Sequence, residues 1–241
     1  MSETVVPESV AVKVGIIGLP DASLCKILEK QLELVPQLQL QACLSAINGL
    51  IVSPDNHTSD GIDATTLALA RPDLPIETAG ALADPAQLVH FLMRVHAHAA
   101  WQALHAAGLS RSALVDFHSR YKYQLMACSP RAYRALGRQL GQSADQPLQP
   151  FANDYFHALM EALRTPPTPG LHCNVLMHLS GYFTRQLDGT QRQRLARSIL
   201  AYRHGAASLT EPLGLLRQHL REHPNPYLSR QVYLQPYLDD L

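Results

Sequence analysis

His118, Arg120 and Lys122 stand close together in the stretch Phe117-His118-Ser119-Arg120-Tyr121-Lys122-Tyr123, and side chains of these types can hold an anion. Lys supplies a point charge, Arg a planar fork of donors and His a donor or acceptor, so the set suits a phosphate or carboxylate, with Tyr121 or Tyr182 adding a hydroxyl. On a helix His118 and Lys122 share a face, whereas Arg120 lies about 160° around from each and can reach Asp116 instead. All three converge only if the helix is irregular or begins here; otherwise they form a solvated basic face. Arg203 and His204, and farther on Arg217 and Arg230, could extend an anion site. Asn174, His178 and Tyr182 follow one another at i, i+4, beside an apolar side carrying Leu176, Leu179 and Phe183. Turned inward, that polar stripe belongs to a site; turned outward, it is ordinary surface.

Other motifs carry less. His219-Leu220-Arg221-Glu222-His223 matches the H-x-x-E-H pattern of inverted zinc peptidases, with two imidazoles at i, i+4. Pro224 ends that helix at once, Arg221 puts a cation inside the motif, and little chain follows to supply a third ligand. Helix-end histidines favoured by the macrodipole are the simpler reading. His96 and His98, two apart, point to different sides of a helix. Cys25, Cys43, Cys128 and Cys173 form no Cys-x-x-Cys pair, which argues against a zinc ribbon or redox motif and for buried free thiols. No cofactor or metal is implied. Neither paired carboxylates nor a Ser or Cys nucleophile beside a base is evident, so an enzyme here would use His118 or His178 as general acid or base.

The elements that position these residues fall into two kinds. Val12-Lys13-Val14-Gly15-Ile16-Ile17 reads as a strand, followed by Gly18-Leu19-Pro20-Asp21 and a helix carrying Leu24, Ile27, Leu28 and Leu32, capped by Asp21 or Ser23. Gly49-Leu50-Ile51-Val52 is a second strand ending at Ser53-Pro54-Asp55-Asn56, Gly61 to Ala70 a second helix, and Leu74-Pro75-Ile76 a brief third strand. Strands alternating with helices predict a small parallel α/β sheet over residues 12–110, after a disordered N-terminus at 1–11, with ligands expected outside the carboxyl ends of the strands. Asp84-Pro85 begins a long helix through Phe91, Val95 and Trp101 that joins the two halves. Residues 111–241 then read as an all-α bundle. Its helices carry Leu114 to Leu125, Pro130 to Leu140 behind a Ser129 cap, Phe151 to Leu163, Leu171 to Leu187, Thr190 to His204 stopped by Gly205, and Glu211 to His223. Arg164 to Gly170, with three prolines, is expected to be a loop, and the tail from Pro224 to wrap the bundle.

Composition bounds the partners. The 241 residues carry 20 Lys and Arg against 20 Asp and Glu, so no net charge draws the whole chain to nucleic acid or an anionic membrane, and any anion site must be local. The apolar run Val14 to Leu19 is far short of the roughly 20 residues that span a bilayer, and no basic segment precedes it, which predicts a cytoplasmic protein.

The segment FHSRYKYQLMACSPRAYRALG, within Leu114 to Gly137, resembles the YbgA-like family, a domain of unknown function with an F-H-x-R-x-K opening and an S-P-x-x-Y-x-x-L-G continuation. The likeness continues through Met177-His178-Leu179-Ser180-Gly181-Tyr182-Phe183, Tyr202-Arg203-His204-Gly205, Pro212-Leu213, His223-Pro224-Asn225-Pro226-Tyr227 and Gln231-Val232-Tyr233, covering about residues 112–241. Tyr121 stands where the family often carries His. In many relatives this domain follows one like the thiouracil desulfidases, which hold an iron-sulfur cluster on three cysteines, and Gly49 to Ala97 looks like the end of such a domain. Where the family has a cluster cysteine after its Ser-Pro, this chain has Asp55. The region before it is too short for the other two ligands, and neither Cys25 nor Cys43 stands in a matching motif, so the resemblance implies a shortened, cluster-free relative without desulfidase activity. The links of the relatives to thiopyrimidine chemistry and to photolyases favour a nucleotide, nucleic acid or other small anion as ligand. A non-catalytic module that binds it through His118, Arg120, Lys122, Asn174, His178, Tyr182 and Arg203 is the first expectation. An enzyme using His on such a ligand, or a scaffold acting through a protein partner, are the alternatives.

Overall fold

The computed structural model describes residues 12–17, 22–30, 32–36, 47–52 and 64–235. The N-terminal segment 1–11, the turn after the first strand, Cys43 and the Ser53–Asn56 segment lie outside them. The chain divides into two compact units, residues 1–109 and 110–240.

In the first unit, the β-branched run after Lys13 makes β1 (Lys13–Ile17), followed by α1 (Ala22–Leu28), β2 (Glu33–Pro36), β3 (Gly49–Val52), α2 (Ala64–Ala70), β4 (Ile76–Thr78) and α3 (Pro85–Ala106). The four strands form one parallel sheet in the order β2-β1-β3-β4. Strand β2 is not among the expected elements, because Glu33 breaks its apolar run and Leu32 reads as the last residue of the preceding helix; α1 in fact ends at Leu28. The strand expected at Leu74–Ile76 begins at Ile76, where Pro75 no longer has to donate to the ladder and its carbonyl instead accepts from Leu50 N at 2.9 Å. Side chains alternate between faces, so Val14 and Ile51 pack with Leu28, Phe91, Leu92 and Val95, while Leu50 and Val52 pack with Leu67 and Leu74. Asp84 caps α3 through Ala86 N, and Pro85 fills the first helical position.

A buried polar network ties α3 to the strand starts. Asn48 accepts from Lys13 N and donates to Gln102 Oε1 at 2.7 Å, and its amide lies 3.5 Å from His98 Nδ1. His98 Nε2 is 3.6 Å from Asp73, which Arg71 grips with two hydrogen bonds. Burial pushes the Asp73 carboxyl up, but the hydrogen bonds from His98 and Arg71 and the guanidinium charge outweigh it and hold the acid well below the usual carboxylate range.

The second unit is a helical bundle: α4 (Arg111–Cys128), α5 (Pro130–Gly141), α6 (Leu148–Leu163), α7 (Pro169–Ser180), α8 (Gly189–Arg203), α9 (Thr210–Glu222) and the single turn α10 (Pro226–Ser229), with 3-10 turns at Gly181–Phe183 and Val232–Leu234. Helix α4 packs against α5, α6, α7 and the last 3-10 turn. Ser110, Ser129, Thr168, Asp188 and Asn225 each accept a backbone N–H as N-caps, and four of the helices thus started carry Pro or Gly at their first position. The expected loop at 164–170 therefore closes early, since Thr168 caps α7 and Pro169 needs no partner for a missing N–H. The helix expected to run from Leu171 to Leu187 stops at Ser180 and turns through Gly181–Phe183, which brings Tyr182 to the surface and buries Phe183. The tail lies along α4: Gln231 Nε2 donates to the Ser119 carbonyl at 3.1 Å, and Arg217 donates to the Leu234 and Gln235 carbonyls. The protein is thus a small parallel α/β sheet followed by a helical bundle. Among the described residues, no helix is long and apolar enough to cross a membrane.

Candidate functional site

Helix α4 supplies the middle of the candidate site. His118 Nδ1 and the Tyr155 hydroxyl of α6 share a hydrogen bond at 3.1 Å, and the imidazole lies parallel to the Tyr133 ring of α5, with centroids 5.6 Å apart and planes 6° from parallel. A Cβ on Gly137 would stand 3.5 Å from His118 Nε2, an ordinary van der Waals contact, so the ring lies close against α5 there. Burial lowers the His118 pKa and raises that of Tyr155 strongly, which leaves both groups neutral at neutral pH.

One turn on, Tyr123 donates to the Tyr182 hydroxyl at 3.2 Å, and Tyr182 stacks on Tyr227 of α10 with centroids 6.0 Å apart and planes 25° from parallel. Burial first, and the neighbouring phenols second, push Tyr123, Tyr133 and Tyr227 up, while hydrogen bonds from Ser119 and Tyr123 pull Tyr227 part of the way back. Lys122 Nζ sits 5.0 Å from the Tyr123 ring centroid. Residues from α4, α5, the 3-10 turn after α7, and α10 therefore meet in one tyrosine-rich patch. Tyr182, 38% exposed, is its open edge.

The residues singled out in the sequence fare differently. His118, Lys122 and Tyr182 belong to this patch. Arg120 does not take Asp116; Arg230 does, with both carboxylate oxygens at 2.6 Å, because the tail returns along α4 and brings its guanidinium there. Asn174 and His178 are exposed on α7, and Arg203 is exposed at the end of α8. No hydrogen bond or ring contact among the described residues links these three to His118 or Lys122. The stripe Asn174, His178, Tyr182 thus faces outward, and only its last member meets α4. Tyr123, Tyr133, Tyr155, Tyr227 and Ser119 were not singled out for a site. The one signal, for all but Tyr155, was their place in the segments of the family likeness, since spacing within a helix says nothing of partners on other elements.

His219 is buried against Phe183, with Nδ1 3.2 Å from Glu222. Among the described residues, no group of three or more His, Cys, Asp or Glu is placed to hold a metal ion. A second cluster joins half-buried His172 and Tyr202 to buried Tyr233: His172 Nδ1 is 2.7 Å from the Tyr233 hydroxyl, and burial lowers the imidazole to about 4.

The charges are partitioned. Residues 110–240 carry 15 Lys and Arg against 9 Asp and Glu, and residues 1–109 carry 5 against 11. Of the 15, all but Lys122 are Arg. Arg131, Arg134 and Arg138 on α5 are exposed at i, i+3, i+7, a spacing that sets them along one helix face, and none has a hydrogen-bond or ion-pair partner for its guanidinium among the described residues.

The family model described as "Protein of unknown function (DUF1722)" matches residues 122–237. The "Uncharacterized protein YbgA" of Escherichia coli (strain K12) is 38% identical over 145 residues, which cover 60% of this chain and 86% of that protein. No solved structure matches the chain.

Proposed function

This chain belongs to the YbgA-like family of proteins of unknown function (DUF1722), and from that premise we propose that its helical unit is a non-catalytic module that binds single-stranded nucleic acid. The observation that carries this reading is the charge partition: a chain with no net charge places a net +6 on residues 110–240. Arginines without carboxylate partners, three of them aligned on α5, suit a row of phosphates, because the guanidinium fork meets phosphate oxygens two at a time. A small anion held at Lys122, with His118 in the wall beside it, is the narrower form of the same reading.

The enzyme alternative has less support. One ring nitrogen of His118 is engaged by Tyr155, the other faces Gly137, and burial keeps the ring neutral, an arrangement suited to shaping a wall. We read residues 12–110 as a shortened relative of the desulfidase α/β domain without cluster ligands, on the sequence likeness and an all-parallel sheet. A thiopyrimidine-containing strand is the natural variant ligand on that reading.

Fluorescence anisotropy with an oligonucleotide of about 12 residues, a length within the range that single modules cover, tests the proposal. Binding should weaken with salt, by about 0.7 in log-log slope for each phosphate neutralised. Arg131→Glu, Arg134→Glu and Arg138→Glu together should cut the slope by about 2 and the affinity at low salt at least tenfold. A folded wild type that binds no oligonucleotide at low salt, or a triple variant that binds as tightly as wild type, would overturn it.

A further inference from the structure

We propose that the tyrosine patch formed by Tyr123, Tyr182 and Tyr227 is a base-binding subsite, in which an unpaired nucleobase stacks on Tyr182, held in place by buried Tyr123, and bonds to the Tyr182 or Tyr227 hydroxyl. The inference rests on the nucleic-acid reading and assigns a different part of the ligand to a different part of the unit. Three elements distant in sequence bring the phenols together: α4 carries Tyr123, the 3-10 turn after α7 carries Tyr182, and α10 carries Tyr227. Residue Tyr182 is 38% exposed although its neighbours Tyr123 and Phe183 are buried. A covered ring could not receive a base. This one is backed by Tyr227 at 6.0 Å and anchored by the Tyr123 hydroxyl, so it is held still while part of it faces solvent. A rigid, partly open aromatic surface is what base stacking requires, and the interaction tolerates any base because every base has a π-face.

The polar atoms fit the same ligand. The Tyr182 and Tyr227 hydroxyls can donate or accept, and the edge of a base presents both donors and acceptors. Burial keeps Tyr123 and Tyr227 protonated, so no phenolate repels the strand. Lys122, within 5.0 Å of the Tyr123 ring, supplies the one ammonium at the patch, suited to the phosphate of the stacked nucleotide. The position of Tyr227 is itself fixed, since Asn225 caps α10 through Tyr227 N and Gln231 pins the following turn to the Ser119 carbonyl.

Two oligomers of equal length and charge, one with bases and one abasic, separate this subsite from the phosphate surface. Wild type should bind the base-bearing strand roughly tenfold more tightly than the abasic one, the size of one stacking contact. Tyr182→Ala should erase that preference while leaving abasic binding and the salt slope unchanged, and Tyr182→Phe should keep most of it. Ribose and deoxyribose strands run in parallel show which sugar is preferred. Equal binding of both oligomers by wild type, or a Tyr182→Ala variant that keeps the preference or loses affinity for both strands alike, overturns the subsite and leaves the nucleic-acid reading standing. Failure of the folded wild type to bind either strand overturns both.

Discussion

A buried imidazole costs stability as soon as solution protons can reach its unfolded counterpart. His172, bonded to the hydroxyl of deeply buried Tyr233, resists protonation down to about 4, whereas an unfolded chain takes the proton at the ordinary value of 6.5. Between those two values the unfolded state binds the extra proton, so stability is complete above 6.5 and falls as pH drops towards 4. At about 1.4 kcal/mol per pH unit, His172 alone should remove about 3 kcal/mol across that window. His118 and His96, lowered by burial in the same direction, add to the loss. Tyr202, pushed up to about 12 by burial and by Cys173, and Cys173 itself stay protonated throughout and contribute nothing to the slope. Urea unfolding measured from pH 7 to pH 4 should show the decline, and His172→Gln should flatten it whatever that variant does to stability at pH 7. An unchanged slope in the variant would mean that His172 takes its proton in the fold without penalty.

At the scale of elements, the glycines show where backbone and packing constrain the chain. A Cβ at Gly49 in β3 would lie 2.6 Å from a Val95 methyl and 3.2 Å from the Phe91 ring, so α3 and the strand could not keep their separation. Gly49→Ala should cost about 1–3 kcal/mol, the usual penalty of an overfilled core. Gly205, which ends α8 at φ +72°, has open space around it, and alanine there should cost about 1 kcal/mol from the backbone alone. Gly141, at the end of α5, has open space and an ordinary φ, and alanine there should be neutral or slightly stabilising. Denaturation midpoints that fail to rank the three in this order would mean the packing at Gly49 relaxes.

The same elements show what could be read from the sequence. Asp84-Pro85, Ser129-Pro130 and Gly205 are local signals, and each sits at the helix end it announces. The break of the expected long helix at Ser180 has no such signal, because Tyr182 and Phe183 continue the polar and apolar faces of the helix beyond Gly181. Long-range partners were illegible for a different reason. Asn48, Asp73, His98 and Gln102 are scattered along the chain and meet only once the sheet has formed, and Tyr123, Tyr182 and Tyr227 meet only when the tail comes back along α4. Arg120 and Asp116 were neighbours on one helix, and the returning Arg230 took the carboxylate first.

For the whole molecule, the net charge of zero and the pI of 7.2 are averages over two unlike halves. Averages matter only to a partner that senses the whole field, and at physiological salt a charge is screened beyond about 8 Å. A row of arginines from Arg131 to Arg138 spans about 10 Å of helix at 1.5 Å per residue, so a phosphate lying on it is within a screening length of those arginines and senses them more than the chain's average charge. The molecule should therefore bind a phosphate-bearing resin even above its pI, where net charge alone predicts that it flows through. Matched charge reversals separate the two accounts. Arg131→Glu with Arg138→Glu changes the net charge by the same amount as Lys26→Glu with Lys30→Glu, and all four side chains are exposed. If the row on α5 is the contact, the first pair should elute at distinctly lower salt and the second pair with wild type. Equal shifts in both would mean that total charge sets retention and would remove the charge partition as support for a nucleic-acid partner.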